Sequence, residues 1–235
     1  MTPLAILLQS DMAEAATTIA TQEDVSMSMI DMAVKGGWLM IPLLILSVIT
    51  LYIFGMKWWA IRKASSIDPN FMEEIKNFIR DGKSKAALEL CRISDTPVAH
   101  LIEKGIERTG KPLTDIQAAV ENMGNIEVAR LEKGLPALAS IAGGAPMIGF
   151  LGTVLGMVQA FFNMSQAGNN IDITLLSGGI CTAMITTVAG LIVGILAYFG
   201  YNYLTAKVSD LVFTLQSNTI EFMDMLQDNR AANTK

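Results

Sequence analysis

Three long apolar runs divide the chain into parts suited to lipid and parts suited to water. Residues 37–56 are uncharged, and roughly 20 helical residues match a hydrocarbon core of about 30 Å. No Asp, Glu, Lys, Arg or His occurs between Lys133 and Asp172, or between Asp172 and Lys207. The pattern therefore predicts three transmembrane helices. They cover 37–56, 134–162 and 173–204, with a short polar turn at 163–172 between the last two.

The remaining segments have the composition of water-exposed helices and an acidic arm. Residues 57–133 carry helix signals, among them Asp68 before Pro69 and a possible capping box at Thr114 and Gln117. The tail, 205–235, has apolar residues spaced as one face of a helix. We predict an all-α integral membrane protein in which the second and third transmembrane helices extend into a cytoplasmic helical domain.

The distribution of basic residues predicts the orientation. The chain has 17 Lys and Arg, and all except Lys35 lie in 57–133 or 205–235. By the positive-inside bias, these two segments face the cytoplasm, while the arm 1–36 and the turn 163–172 are periplasmic. We do not expect a cleaved signal peptide, because no Lys or Arg precedes the first apolar stretch.

Composition and charge leave little room for an enzyme or a nucleic-acid-binding protein. Of the 235 residues, 51% are hydrophobic and 17% charged, and the net charge of −5 provides no basic stripe for a phosphate backbone. Two isolated cysteines, Cys91 and Cys181, suggest neither a disulfide nor a metal site. The lone His100 has the expected role of a surface or packing residue. We predict no catalytic residues, no metal and no cofactor.

Small and hydroxyl-bearing residues form a stripe on each of the last two predicted spans. In lipid, such stripes let helix backbones approach closely, and a Thr hydroxyl either bonds a carbonyl one turn back or lines a polar path. Close packing alone is one interpretation, and the wall of a narrow lumen is the other. The candidate packing residues are Gly149, Gly152, Gly156, Gly178, Gly190 and Gly194, and the candidate lumen residues are Thr153, Thr182, Thr186 and Thr187.

The two uncharged spans limit what this chain can do alone. A proton route across a bilayer normally needs a titratable group, and the second and third spans contain none. If the chain conducts protons, another subunit must supply the acid. Asp172, in the outer turn, has two interpretations: an acidic residue at a pore mouth, or a solvated helix cap.

Two sequence blocks carry a family resemblance. Residues 145–157, APMIGFLGTVLGM, and 180–202, ICTAMITTVAGLIVGILAYFGYN, resemble the second and third spans of the MotA/TolQ/ExbB proton channel family. The three-span layout and the long outer arm resemble its ExbB branch. The resemblance implies a pentameric inner-membrane ring that encloses an ExbD-like dimer of single-span subunits. It also implies that proton flow drives a TonB-like partner in transport across the outer membrane.

The resemblance implies that Thr153 and Thr187 face the lumen. It also exposes a departure, because many family members have a glutamate where this chain has Thr182. Without that glutamate, the proton path would depend on an aspartate of the ExbD-like partner. A different coupling ion and a specialised paralogue both remain open.

Two other functions fit the same sequence features. One is a TolQ-like subunit for envelope maintenance. The other is a non-conducting membrane scaffold, in which the small-residue stripes only pack helices and the cytoplasmic helices bind partners.

Overall fold

The computed structural model describes residues 36–66, 68–166 and 173–233, and these ranges form seven α-helices and no strand. The predicted arm up to residue 35 and residues 167–172 of the predicted turn, including Asp172, lie outside the described residues. The helices are α1 (Met40–Ala64), α2 (Phe71–Arg80), α3 (Ser84–Ser94), α4 (Pro97–Glu107), α5 (Leu113–Glu132), α6 (Leu135–Gln166) and α7 (Ile173–Asn233).

Three helical stretches are long and apolar enough to cross a membrane, which confirms the predicted all-α membrane fold. They are Met40–Ala64, Leu113–Gln166 and Leu176–Asn229. Helix α7 has 61 residues, and at 1.5 Å per residue its length of about 90 Å is three times a hydrocarbon core of about 30 Å. Since the helices continue past the predicted span ends, the membrane boundaries and the cytoplasmic assignment stay predictions.

Local chemistry explains where several helices begin and end. Gly134 has a φ of +96° and separates α5 from α6, a backbone conformation that glycine adopts without a steric penalty. Pro42 lies in the first turn of α1, where a backbone N–H has no intrahelical partner, so the missing donor costs nothing there. Helix α6 continues to Gln166, beyond the predicted end at residue 162. Its late polar residues bond within the helix: the Gln159 amide donates to the Asn163 side-chain oxygen at 2.9 Å.

The starts of α4 and α5 show how nearby residues set a helix end, and the start of α5 differs from the sequence expectation. Helix α4 begins at Pro97, and the Thr96 side chain caps it by accepting a hydrogen bond from the Ala99 N–H at 3.3 Å. The expected capping box at Thr114 does not form. Helix α5 begins at Leu113, two residues before the start that a Thr114 cap predicts, and follows Pro112. The Gln117 side chain instead donates to Glu121 Oε1 at 2.8 Å.

Buried apolar residues form three successive cores. The first lies in a bundle of α2 to α5 and the C-terminal part of α7, and contains Phe222, Ile102 and Val120. We call it the extramembrane bundle, because the charged residues of these segments predict a position outside the membrane. The second joins the end of α1 to α5, α6 and α7 around Leu138 and Leu204. The third packs Leu43 of α1 against α6 and α7. One continuous α7 therefore contributes to all three.

Candidate functional site

Helices α6 and α7 pack antiparallel along a seam of small residues. Gly149 faces Gly190, and a Cβ on Gly190 would lie 2.7 Å from the Ala145 carbonyl oxygen and 2.9 Å from the Gly149 Cα. Further along, a Cβ on Gly156 would lie 2.8 Å from the Ala183 Cβ. These separations are shorter than side chains tolerate, so the two backbones are in direct contact.

Four of the six glycines predicted to pack helices are buried in this seam, and two have different surroundings. Gly149, Gly152, Gly190 and Gly194 are buried, and Gly156 is half-buried at its edge. A Cβ on Gly178 would have no atom within 4 Å. Its neighbour Gly179 is the one in contact with α6, where an added Cβ would lie 2.5 Å from the Ala160 Cβ. The structure therefore places Gly178 outside the contact of this helix pair.

The reason is the pitch of the α-helix. Gly178, Thr182 and Thr186 follow one another at intervals of four, but a helix repeats every 3.6 residues. Residues spaced at a constant interval of four therefore rotate progressively away from the neighbouring helix. Residues that stay in contact with that helix must be separated by a mixture of four and three positions. The observed contacts on α7 use Gly179, Ala183 and then Thr186, which alternates four and three. Because Gly178 and Gly179 are adjacent, the sequence does not show which of the two contacts α6.

Two of the four threonines belong to the seam. Thr186 is 1% exposed, faces Gly152 and donates its hydroxyl to the Ala183 carbonyl at 2.7 Å. The Thr187 hydroxyl crosses to the other helix and donates to the Gly149 carbonyl at 2.9 Å. Thr186 therefore occupies a packing position inside the protomer. Thr187 is half-buried and ties α7 to α6 through a side-chain hydrogen bond.

The other two threonines flank the seam and are half-buried. Thr153 follows Gly152 and donates its hydroxyl to the Phe150 carbonyl at 2.6 Å. Thr182 precedes Ala183, which packs on Gly156, so Thr182 lies about one turn along the pair from Thr153. Both keep partial exposure in the single chain. Thr187 has the same partial exposure, but of these three threonines it is the one whose hydroxyl bonds across the helix pair, to the Gly149 carbonyl.

The described parts of the α6 and α7 apolar runs have no Asp, Glu, Lys, Arg or His side chain, and their ionisable groups are the Cys181 thiol and the phenols of Tyr198, Tyr201 and Tyr203. No group of three or more His, Cys, Asp or Glu able to hold a metal ion occurs within the ranges that the structure describes. The described parts of these two apolar runs offer hydroxyls and backbone carbonyls, but no carboxylate. An acid in a proton path along them would therefore come from outside the two runs.

A charged cluster that the sequence did not predict lies in the extramembrane bundle. His100 of α4 lies between two carboxylates: its Nδ1 is 3.2 Å from Glu127 Oε1 and its Nε2 is 3.3 Å from Asp95 Oδ1. Glu127 is 5% exposed and also accepts from Arg130 Nη1 at 2.7 Å. His100 was expected to be a surface or packing residue, and no local signal pairs it with a glutamate 27 positions away.

The cluster reaches the end of α1 through Asp95. Lys63 of α1 donates to Asp95 Oδ2 at 3.3 Å. The Lys63 hydrogen bond and charge, with a smaller contribution from His100, lower the pKa of the Asp95 carboxyl. Asp95 has a φ of +43°, a left-handed conformation in which Asp is among the more tolerated residues. This chain of contacts connects α1, the turn after α3, α4 and α5.

The comparisons with known proteins agree with the geometry of the helix pair. Residues 93–217, more than half of the chain, match the model of the MotA/TolQ/ExbB proton channel family. The chain is 32% identical to the biopolymer transport protein ExbB of Neisseria gonorrhoeae over 145 residues, covering 55% of this chain and 66% of that protein. It is 38% identical to the Tol-Pal system protein TolQ of Haemophilus influenzae over 85 residues, 36% of this chain and 37% of that protein.

An ExbB homologue from Methanothermobacter thermautotrophicus is 28% identical over 151 residues, which cover 64% of this chain. The chain spans about half of that relative's length, 53%. The family match includes α4, α5, the whole of α6 and most of α7, and thus the entire seam. The fold, the uncharged helix pair and the family model lead to one conclusion: this chain is a multi-pass membrane protein of the MotA/TolQ/ExbB proton channel family.

Proposed function

We propose that the protein is an ExbB-like stator subunit that forms the wall of a proton path in the inner membrane. The observation that carries the proposal is the contact between the apolar runs of α6 and α7: a glycine seam flanked by Thr153 and Thr182, with no carboxylate in the described part of either run. Hydroxyls can hold water in such a path, but they do not ionise near neutral pH and so cannot carry a charge across it. The titratable group is supplied by a partner.

The partner that fits is a single transmembrane helix with an intramembrane aspartate, as in an ExbD-like dimer. Several copies of this chain, five by family resemblance, surround the partner with their Thr153 and Thr182 faces inward. The N-terminus is periplasmic and the C-terminus cytoplasmic, because the basic residues lie in 57–133 and 205–235. A TonB-like protein receives the resulting motion and energises transport across the outer membrane.

The energy available to such a device follows from its charge movement. Moving one charge across 100 mV releases about 2.3 kcal/mol. A mechanical step that needs several times this energy requires several protons per cycle. Thr182 replaces a family glutamate, so each proton is carried past the wall by the partner's aspartate alone.

Proton flux into vesicles tests the proposal. The full chain is reconstituted with its single-span partner, and proton entry is measured with an internal pH dye under an imposed membrane potential. Thr153→Val and Thr182→Val should each lower the flux about fivefold, because each removes a hydrogen bond to water worth about 1 kcal/mol in the barrier. Thr50→Val is the matched control, since the Thr50 hydroxyl bonds within α1 to the Leu46 carbonyl at 2.8 Å.

Two outcomes of this experiment contradict the proposal. If the two wall variants conduct like the unmodified protein, Thr153 and Thr182 do not line the path. If the complex with the partner conducts no protons at all, the protein is a membrane scaffold.

A TolQ-like role in envelope maintenance is the second candidate. It is favoured by the TolQ relative, whose identity of 38% over 85 residues exceeds that of the Neisseria ExbB over its longer match. Both roles use the same wall and differ in the coupled partners. Deletion of the gene distinguishes them: loss of TonB-dependent uptake supports the ExbB-like role, and envelope leakage with normal uptake supports the TolQ-like role.

A further inference from the structure

A groove between α1 and α7 lies where both helices leave their uncharged runs. Its volume is about 300 Å³, and it is lined by Trp58, Ile61, Arg62, Ser65, Tyr203, Leu204 and Lys207. Lys57 is the first charged residue after the apolar run of α1, and Lys207 is the first after that of α7. Both walls therefore change from apolar to basic at the same level, which is the expected depth of lipid headgroups.

The side chains of the groove have a layered arrangement. Ile61 and Leu204 are 3% and 0% exposed and form an apolar floor. Trp58, Arg62 and Ser65 follow one face of α1 at helical spacing, and Tyr203 and Lys207 are one turn apart on α7. The groove thus presents an apolar base, two aromatic rings, a hydroxyl and two cations toward the membrane surface.

The charges favour an anion. The Arg62 guanidinium lies 5.3 Å from the centre of the Trp58 ring, a cation–π contact that orients it while leaving its N–H donors available. Lys207 has one acidic neighbour, Asp210, at 3.3 Å, and the Asp210 side chain is 72% exposed. Arg62 and Lys207 against Asp210 leave one net positive charge, which matches the single negative charge of a phosphodiester.

We propose that this groove binds the headgroup of an anionic phospholipid of the phosphatidylglycerol type. The phosphate lies between Arg62 and Lys207, the Ser65 hydroxyl donates to the glycerol or phosphate oxygens, and the acyl chains follow the exposed apolar surface of α1. Basic pockets between transmembrane helices at the membrane surface are suited to such headgroups. A bound lipid would connect α1 to α7 at their shared exit from the bilayer. The site is independent of the proposed proton path, because none of its lining residues belongs to the α6/α7 seam and it requires only the membrane fold.

Lipid titration of the purified full chain in detergent tests the site, with native mass spectrometry as the readout of bound lipid. Phosphatidylglycerol should bind more tightly than phosphatidylcholine, whose choline neutralises the phosphate, and than diacylglycerol, which has no phosphate. Arg62→Gln and Lys207→Gln should each weaken phosphatidylglycerol binding about fivefold, and the double variant about 25-fold. Arg62→Lys keeps the charge and should stay within about threefold.

The matched control removes two positive charges far from the groove. This control is the double variant Lys85→Gln/Lys104→Gln. Lys104 forms an ion pair with Glu107, three residues later, just as Lys207 does with Asp210. This double variant should bind phosphatidylglycerol as the unmodified protein does. Glycerol 3-phosphate is a separate arm: if it displaces the lipid completely at equal concentration, the site is one for free phosphate compounds, and the lipid proposal is overturned.

Three further results would overturn the proposal: equal binding of phosphatidylglycerol and phosphatidylcholine, unchanged binding by the Arg62/Lys207 double variant, or an equal loss in the Lys85/Lys104 control.

A second copy of the chain is the competing occupant. Ser65→Cys, in a background with Cys91 and Cys181 replaced by Ala, tests it in native membranes. A disulfide between two copies would show that the groove is a protein interface.

Discussion

The membrane helix pair and the extramembrane bundle use glycine in opposite ways. In the α6/α7 seam, Gly149 and Gly190 bring two backbones into contact. In the bundle, Gly105 makes room for a side chain, because an added Cβ would overlap the ring of Phe222, which is fully buried. In lipid, burying a large side chain between helices gains no hydrophobic free energy, because the lipid tails are equally apolar. In water, the same burial is favourable because it removes apolar surface from the solvent. The same residue therefore serves backbone packing in one region and ring burial in the other.

The bundle should be the region more damaged by deletion of a large side chain. Phe222→Ala should destabilise it by about 3–5 kcal/mol, since the ring fills the space above Gly105. Hydrogen exchange of the α4 and α5 amides in detergent measures the loss, while α6 amides should stay protected. Phe213→Ala is the control, because Phe213 is 73% exposed and also lies on α7. A similar loss in both variants would refute the ring-burial account.

The seam should be the region more damaged by addition of a methyl group. Gly190→Ala places a Cβ against the Ala145 carbonyl, a backbone atom that cannot rotate away, and should cost about 2–3 kcal/mol. Gly178→Ala is the matched control on the same helix, because nothing lies within 4 Å of its Cβ position. Resistance to unfolding in mixed micelles measures both. If Gly178→Ala is the more harmful change, the seam runs along the other face of α7.

The ion pairs of the bundle are a further contrast with the uncharged runs of α6 and α7. His100→Leu removes one of the two groups near the buried Glu127 carboxylate and should destabilise the bundle by about 1–2 kcal/mol. His100→Gln retains an N–H donor and should recover part of the loss. Urea unfolding followed by exchange of the α5 amides measures both. Equal stability of His100→Leu and the unmodified chain would show that Glu127 depends on Arg130 alone.

Acid should reveal the smallest effect, at the link from α1 to the bundle. Lys63, and to a lesser degree His100, lower the pKa of Asp95 in the folded chain. This contribution is therefore present above the unfolded pKa of about 3.9 and is lost as the pH falls through the lower folded pKa. Asp95→Asn should be less stable than the unmodified chain at pH 5–7, and the two should converge as the pH falls below the lowered pKa of Asp95 in the folded chain. Lys63→Gln should reproduce this pattern, and a gap that persists at low pH would contradict it.

The membrane part of the fold was predictable, because a transmembrane helix needs about 20 consecutive uncharged residues, and such runs can be recognised in the sequence alone. The continuation of α6 to Gln166 was not, since Asn163 and Ser165 have the composition of a turn and their bonding within the helix depends on the folded chain. The pairing of His100 with Glu127 was also beyond local patterns, because it joins two different helices.

The sequence predicted that the second and third spans pack through small residues, but it predicted only part of the set of residues in the contact. Two glycine stripes predict a close approach of the second and third spans, and in the structure Gly149 and Gly190 lie in direct contact. Thr186, however, lies inside the pair, while Thr182, one turn away, keeps partial exposure. Which face of a helix meets its partner is set by pitch and by packing against α1, and neither is visible in the spacing of small residues alone.

Cysteine accessibility at Thr182 and Thr186 tests the central claim most directly, in the assembled complex with its single-span partner. Cys181 is replaced by Ser. Cys91 can remain, because it is buried and burial raises the pKa of its thiol to about 12, which leaves almost no reactive thiolate at pH 8. We predict that Thr182→Cys reacts with a charged methanethiosulfonate at least about tenfold faster than Thr186→Cys, because only the first borders water. Equal rates at the two positions, whether both fast or both negligible, would contradict a dry seam beside an aqueous path.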